Sequence, residues 1–420
     1  MSETEAMNID ERRKYIHKIW GRYRQANKKE RGRLLDEVEA VTGMHRKAIV
    51  RLLNGRLSRK KRSRERGREY GVDVSDAVSV IARSLDYPCA ERLQPNLVWM
   101  ARHLQKHGEL QVEQEGLEKL ARVSVSTLKR MLKRVGRSGP KLAQQQPKRP
   151  QTSSLRQAYP MSKIAWDIEE AGHFEVDLVH HAGESTQGEY VHTLQMVDVA
   201  TGWSEMTAIF GRSYRVMADG FDYLLARLPF AVQEIHPDNG AEFFNQHLLR
   251  YWKAKVTDLQ LSRSRPYQKN DNRFVEENNH SLVRAYIGHD RLDTQAQLKL
   301  LRQLYAKLWL YHNFFQPVMR LQEKQYVSPL QYRRKYDQAQ APFDRLKKKN
   351  VLKEEVQLQL EALRNQTNPI ALRNQIDELI SQLLSLPALD QSQTVNIFET
   401  LLKEVDASVT LSFEPTTPVR

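Results

Sequence analysis

Apolar positions repeat along this chain with two different periods, and the change of period divides it. Over residues 8–55 they recur at helical spacing, with Leu34, Leu35 and Val38 in one stripe and Ala48, Ile49, Leu52 and Leu53 in the next. Three short helices are predicted, the last two separated by Thr42-Gly43, which is a helix-turn-helix pattern. A second helical stretch covers residues 74–135, where Leu97, Val98, Met100, Ala101 and Leu104 share a face. Its last helix follows Val123-Ser124-Val125-Ser126 and places Leu128, Met131, Leu132 and Val135 beside Lys129, Arg130, Lys133 and Arg134. A serine cap ahead of a basic amphipathic helix repeats the first device.

Residues 136–159, rich in Pro, Gln, Ser and cations, read as a linker. Beyond them the period drops toward two. Strands are predicted at 173–180, 189–200 and 202–210, a helix at 214–228, a strand at 231–235, a helix at 241–255, a strand at 259–263 and helices at 272–286 and 295–311. Three strands in a meander followed by alternating helix and strand describe an α/β sheet. After residue 336 the pattern is helical again, with Val356, Leu360, Leu363, Leu372, Ile376, Leu379, Leu383 and Leu386 at near-heptad spacing interrupted by Pro369, and a last short helix near Phe398. The expected organisation is multidomain. It comprises 1–70 as an all-α helix-turn-helix unit with a basic linker, 71–136 as a second helical unit, and 137–160 as linker. An α/β core spans 161–335, and a helical C-terminal region follows at 336–420.

Charge narrows the function. Lys and Arg number 66 against 51 Asp and Glu, a net +15, and the sequence pI is about 9.7, so the chain's field attracts polyanions. Cations concentrate at the predicted recognition helices: Arg46, Lys47 and Arg51 on the first, Lys129, Arg130 and Lys133 on the second. Lys60, Lys61 and Arg62 fall in the basic run between them. Cys89 is the only cysteine, which excludes an internal disulfide and a cysteine-based zinc knuckle. The acidic N-terminus and the lack of a long apolar run predict no secretion and no membrane partner, hence a cytoplasmic, nucleoid-associated protein.

Three carboxylates carry the candidate chemistry. Asp177 lies mid-strand in His-Phe-Glu-Val-Asp-Leu-Val, with Glu175 on the same face as a possible bystander. Asp238 lies where a strand ends, in Ile-His-Pro-Asp-Asn-Gly-Ala-Glu-Phe, a place where ligands gather on α/β sheets. Glu276 lies on the helix after the next strand, with Glu277 about 100° away around the helix as its competitor. Read singly, each has an ordinary explanation as a solvent-facing strand residue, a turn or cap aspartate, or a surface glutamate. Together, carboxylates from distant segments brought to one sheet make sense as ligands for hard divalent cations.

These words, with Val197-Asp198-Val-Ala-Thr-Gly-Trp and Lys269-Asn-Asp-Asn before Val275-Glu276-Glu-Asn-Asn279, resemble the catalytic core of bacterial insertion-sequence transposases and retroviral integrases. These are the DDE recombinases of ribonuclease H-like fold, and the resemblance spans residues 168–332. It implies that Asp177, Asp238 and Glu276 are catalytic residues and ligands of two Mg²⁺ ions, for which Mn²⁺ can substitute, with Asp198 beside the site but not a required ligand. It further implies cleavage at element ends and transfer of a 3′-hydroxyl into target DNA, Glu276 helping to position the nucleophile. The implied partners are double-stranded DNA, as terminal inverted repeats and target, and further copies of the chain in an oligomer on DNA. Lys269 and Asn270 are expected DNA contacts near the scissile phosphate, and His180, His181 and His236 are expected to pack or hydrogen-bond. The 276 − 238 = 38 residue gap is slightly longer than in retroviral integrases, whose zinc-binding domain this chain cannot form. Two other readings stay open: a catalytically silent DNA-binding regulator descended from a transposase, and a nuclease that only hydrolyses DNA.

Overall fold

The computed structural model describes residues 7–55, 69–135, 164, 168–238, 240, 242–256, 258–264, 271–328, 331–388 and 395–402. The chain forms two compact units, Met1–Glu69 and Tyr70–Arg420. In the first, α1 (Ile9–Gln25) starts at a capping box in which Asn8 and Glu11 satisfy each other's end of the helix. Asn27 caps α2 (Lys28–Thr42), and Gly43 ends it at φ 63°, a left-handed residue that lets the chain turn into α3 (Arg46–Leu53). Ile16, Ile19, Leu34, Leu35, Val38, Ile49 and Leu53 close a small core between the three helices.

The second unit opens with five helices, α4 (Val72–Ser84), α5 (Ala90–Leu93), α6 (Leu97–Lys106), α7 (Gln114–Arg122) and α8 (Val125–Val135). A five-stranded sheet follows, made of β1 (His173–His180), β2 (Val191–Asp198), β3 (Ser204–Phe210), β4 (Glu234–Pro237) and β5 (Gln260–Leu261) in the order β3-β2-β1-β4-β5. The first three strands run antiparallel, whereas β4 and β5 run parallel to β1. All eight residues of β2 are buried, as a central strand covered on both faces requires.

Helices α9 (Tyr214–Ala226) and α10 (Gln246–Lys255) connect the strands. Then come α11 (Arg273–Asn278), a wider π-type segment at Asn279–Arg284 and α12 (Ala285–Ile287). Finally α13 (Gln295–Phe315) runs against β3 and buries a long apolar face. Beyond it stand a hairpin, β6 (Leu321–Ser328) and β7 (Gln331–Tyr336), and three helices, α14 (Pro342–Lys349), α15 (Glu354–Gln366) and α16 (Pro369–Ser385).

The early helices share the core of the sheet and the C-terminal helices. Polar contacts fasten them: Tyr311 Oη donates to Ser84 O at 2.9 Å, Gln316 Nε2 to Leu85 O at 3.0 Å, and Asn368 Nδ2 to Glu109 Oε1 at 2.8 Å.

Five expectations change. The strand expected over 231–235 lies at Glu234–Pro237 instead, because residues 231–233 are loop. The helix expected over 241–255 begins only at Gln246, because Asn245 caps it and 242–245 form turns. The helix expected over 272–286 passes through a π-type turn, which rotates its second half relative to its first. The strand expected over 259–263 is only two residues long. The β6–β7 hairpin occupies a stretch where no strands were expected, since its polar sequence lacks apolar alternation.

Candidate active site

Alternation along β1 sends Phe174, Val176 and Leu178 into one buried layer and places Glu175 and Asp177 together on the other face. Helix α11 lies over that second face. Its own N-cap, Asn272, makes no capping bond, and Glu175 takes that role from the strand. The buried Glu175 Oε2 accepts from the backbone amides of Phe274 at 2.7 Å and Val275 at 2.9 Å. Burial pushes this carboxyl up to about 7, against the opposing pull of the two amides, Arg273 and Arg320. Glu175 is therefore no bystander: it fixes the first turn of the helix that carries Glu276.

Asp177 is half-buried one pleat further along. Asn279, at the end of α11, donates Nδ2 to Asp177 Oδ2 at 2.5 Å. Burial raises the Asp177 carboxyl above its ordinary range and Glu242 raises it further, while the Leu178 amide, Asn279 and Arg284 pull it down. Arg284 itself is held by the carbonyls of His180 at 2.7 Å and Gly288 at 3.0 Å.

The parallel register between β1 and β4 pairs Glu175 with His236 and Val176 with Pro237. One step on in the same register, Asp238 follows Pro237 at the end of β4 as Asp177 follows Val176 on β1. Asp238 Oδ1 accepts from Gly240 N at 2.7 Å, which curls the chain back immediately after the carboxylate. A methyl group added at Gly240 would stand 2.8 Å from Asp238 Oδ1 and 2.6 Å from Glu242 Oε1, so these two carboxylates converge on one glycine. Glu242 also faces Arg212 at 3.7 Å.

Glu276 is exposed on α11, three positions before Asn279 and so on the same helical face as the residue that touches Asp177. Its neighbour Glu277 turns the other way and pairs with Arg92 of α5 at 3.5 Å. Among the described residues no three acidic or imidazole side chains close onto a common point. Asp238 and Glu242 share the turn after β4, Asp177 lies on β1, and Glu276 lies on the helix that Asn279 docks onto Asp177.

Asp198 is fully buried and structural, accepting from Gly172 N and from Thr201 N, each at 2.8 Å. His181 bonds Thr193 Oγ1 at 2.7 Å, His236 bonds Ser262 at 2.6 Å and Ser264 at 3.3 Å, and His180 bonds Tyr190 Oη at 3.1 Å. Burial lowers all three imidazoles, so they stay neutral and pack the sheet.

In the first unit, Lys47 and Arg51 stand one turn apart on α3, both exposed. Arg46 is half-buried, pairs with Asp36 and donates to Gly32 O at 3.3 Å, so it ties α3 to α2. On α8, Lys133 is exposed, Lys129 pairs with Glu91, and Arg130 folds back onto Ser126 O at 3.3 Å and Thr127 Oγ1 at 3.1 Å. Lys60, Lys61, Arg62, Lys269 and Asn270 lie outside the described residues.

Reading the sequence took Glu175 as a bystander and gave Asn279 and Glu242 no role, whereas the structure sets each against the candidate carboxylates or their helix. Glu242 had a signal, since it lies four residues after Asp238 in the same polar turn. Asn279 shares the helical face of Glu276 by simple periodicity.

The arrangement suits a hard divalent cation. Its donors are all oxygens, and the buried Asn279 Oδ1, directly beside Asp177, has no hydrogen-bond partner among the described residues.

No family model matches the chain. It is similar to the uncharacterized protein y4rM of Sinorhizobium fredii, 32% identical over 317 residues that cover 74% of this chain and 89% of that one. The crystal structure of the catalytic core domain of BIV integrase aligns over 35% of this chain and 86% of that chain, at 16% identity and a TM-score of 0.27.

Proposed function

This chain belongs to the family of the Sinorhizobium fredii protein y4rM, and we propose that it is a metal-dependent DNA strand transferase, a transposase of the insertion-sequence type with a ribonuclease H-like core. The observation that carries the reading is the β1–β4 register. Continued by one residue it would set Asp238 next to Asp177 on the neighbouring strand, while Asn279 docks the helix of Glu276 onto Asp177. Asp177, Asp238 and Glu276 are the residues that would hold Mg²⁺ or Mn²⁺, with Glu242 sharing the turn of Asp238. When bound, the cations supply charge stabilisation for substitution at phosphorus.

The chain's own residues set the stage for that substitution. Asn279 orients the Asp177 carboxylate by donating to its Oδ2. Glu175 anchors α11 so that Glu276 keeps a fixed place from which to accept a proton from the attacking hydroxyl. Lys47 and Arg51 on α3, and Lys133 on α8, present cations for DNA phosphates and base edges, so that each helical device can hold duplex DNA. Pairing of two ends calls for more than one copy of the chain on DNA.

The test is a gel assay of labelled duplex carrying the sequences that flank the coding gene, with Mg²⁺, comparing the natural protein with Asp238→Asn. Joined products that vanish in the variant while duplex binding persists support strand transfer. Cleavage without joining marks a nuclease, and binding with neither product marks a DNA-binding regulator.

A further inference from the structure

We propose that the β6–β7 hairpin is a separate DNA-binding element that grips the phosphate backbone of duplex DNA next to the candidate carboxylates. The proposal takes DNA as the substrate, as argued above, and adds a contact surface outside the helical units.

The hairpin is a sheet of only two strands, with both outer edges open among the described residues. Such a ribbon is marginal in water on its own. Its strands are largely polar, and the large apolar residues they expose, Val327 and Tyr336, are 67% and 43% accessible. The register pairs Lys324 with Arg334 and Glu323 with Lys335, so four cations stand against one carboxylate along the two strands. Arg333, Arg334 and Lys335 are all exposed, and none is ion-paired among the described residues. Because successive strand residues alternate, Arg333 and Lys335 leave one face and Arg334 the other. Cations on both faces of a narrow ribbon match two phosphate ridges with a groove between them, and the major groove admits a two-stranded ribbon.

What fixes the ribbon is its base. Asp337 accepts from Arg320 N at 2.7 Å and from Arg345 through both guanidinium nitrogens, at 2.5 and 3.0 Å. An isolated bridge joins Val318 to Gln340 just below. Arg320 in turn spans to the candidate site, with its guanidinium 4.6 Å from the centre of the Phe274 ring and 3.3 Å from Asp198 O. Phe274 is the residue whose amide Glu175 caps. The ribbon therefore stands on the same mount as α11, and DNA held by it lies beside Glu276.

The experiment uses the full chain and a 30-base-pair duplex of arbitrary sequence, with affinity followed by fluorescence anisotropy over a salt series. The variants are Arg333→Ala/Arg334→Ala/Lys335→Ala, the charge-keeping Arg333→Lys/Arg334→Lys and the single Arg334→Gln. The salt slope falls by about 0.9 for each phosphate that the protein ceases to neutralise. The triple variant should therefore lose about 2 to 3 of slope and at least tenfold in affinity at 0.1 M salt, while the charge-keeping pair retains both. Arg334→Gln should lose about 0.9 of slope yet unfold no earlier than the natural protein, since its side chain is exposed and holds no ion pair among the described residues. An unchanged slope in a folded triple variant, or an Arg334→Gln that neither weakens binding nor keeps the melting temperature, overturns the proposal. Joining by the natural protein alongside an unchanged slope sinks the ribbon alone. If the natural protein binds no DNA, the strand-transfer reading falls as well.

Discussion

Replacing Glu175 by alanine isolates the link between strand β1 and the helix that carries Glu276. The carboxylate is 1% exposed and accepts two amides, Phe274 N at 2.7 Å and Val275 N at 2.9 Å, at the start of a helix with no other side-chain cap. Alanine leaves both amides buried without a partner, at about 1–3 kcal/mol each, from which the relief of desolvating a carboxylate subtracts. A net loss of about 2–4 kcal/mol is expected, concentrated in the first turn of α11. Hydrogen exchange reads this directly. Protection of the Phe274 and Val275 amides should drop by about 30- to 1,000-fold, since 1.4 kcal/mol is tenfold, while amides of β2 change far less. Strand-transfer turnover should fall with it because Glu276 loses its mount, and Glu175→Gln, which keeps one acceptor oxygen and the same length, should recover a large part of both. Unchanged protection at these two amides, or a glutamine variant as damaged as alanine, would show that Glu175 does not hold the helix.

Three further outcomes follow from other parts of the molecule. Lys47→Ala/Arg51→Ala should weaken duplex binding and lower its salt slope by about 2, with no change in thermal stability because both side chains are exposed; an unchanged slope in an anisotropy titration removes α3 from the interface. Arg227 Nε stands 3.4 Å from the buried Glu205, whose carboxyl burial pushes up to about 7. Arg227→Met should therefore destabilise by about 3–5 kcal/mol at pH 8 and by less at pH 5, where Glu205 is protonated; denaturant unfolding at the two values decides, and an equal loss at both contradicts it. Burial holds His192 at about 3, below the ordinary imidazole range, so the stability it confers is complete above about pH 6.5 and is lost as pH falls toward 3. His192→Phe, which keeps a ring against Tyr190, should flatten the acid limb by about 1 kcal/mol per pH unit, and identical limbs would count against the assignment.

Much of the sheet was legible because burial leaves a period. The limits of β1 at His173 and His180 follow from apolar alternation, and Pro369 separates α15 from α16 as its missing amide requires. The β6–β7 hairpin was not legible, because its sequence has no apolar alternation to repeat. Alternation put Glu175 on the face of Asp177 but could not reveal that a helix end 99 residues later would dock onto its carboxylate. The π-type turn after Asn278 is likewise a tertiary outcome, as nothing local distinguishes it from ordinary helix. Glu242 escaped because it lay within an expected helix, whereas in the structure that helix starts later and leaves the residue in the turn with Asp238.

Whether Asp177, Asp238 and Glu276 form one divalent-metal site is decided by a Mn²⁺ titration followed by electron paramagnetic resonance. It compares the natural protein bound to duplex DNA with Asp177→Asn, Asp238→Asn and Glu276→Gln. Tight Mn²⁺ binding is expected of the natural protein, weakened at least tenfold in each variant while duplex binding and unfolding midpoints hold. Equal Mn²⁺ affinity in all four proteins would mean that these carboxylates do not form a metal site.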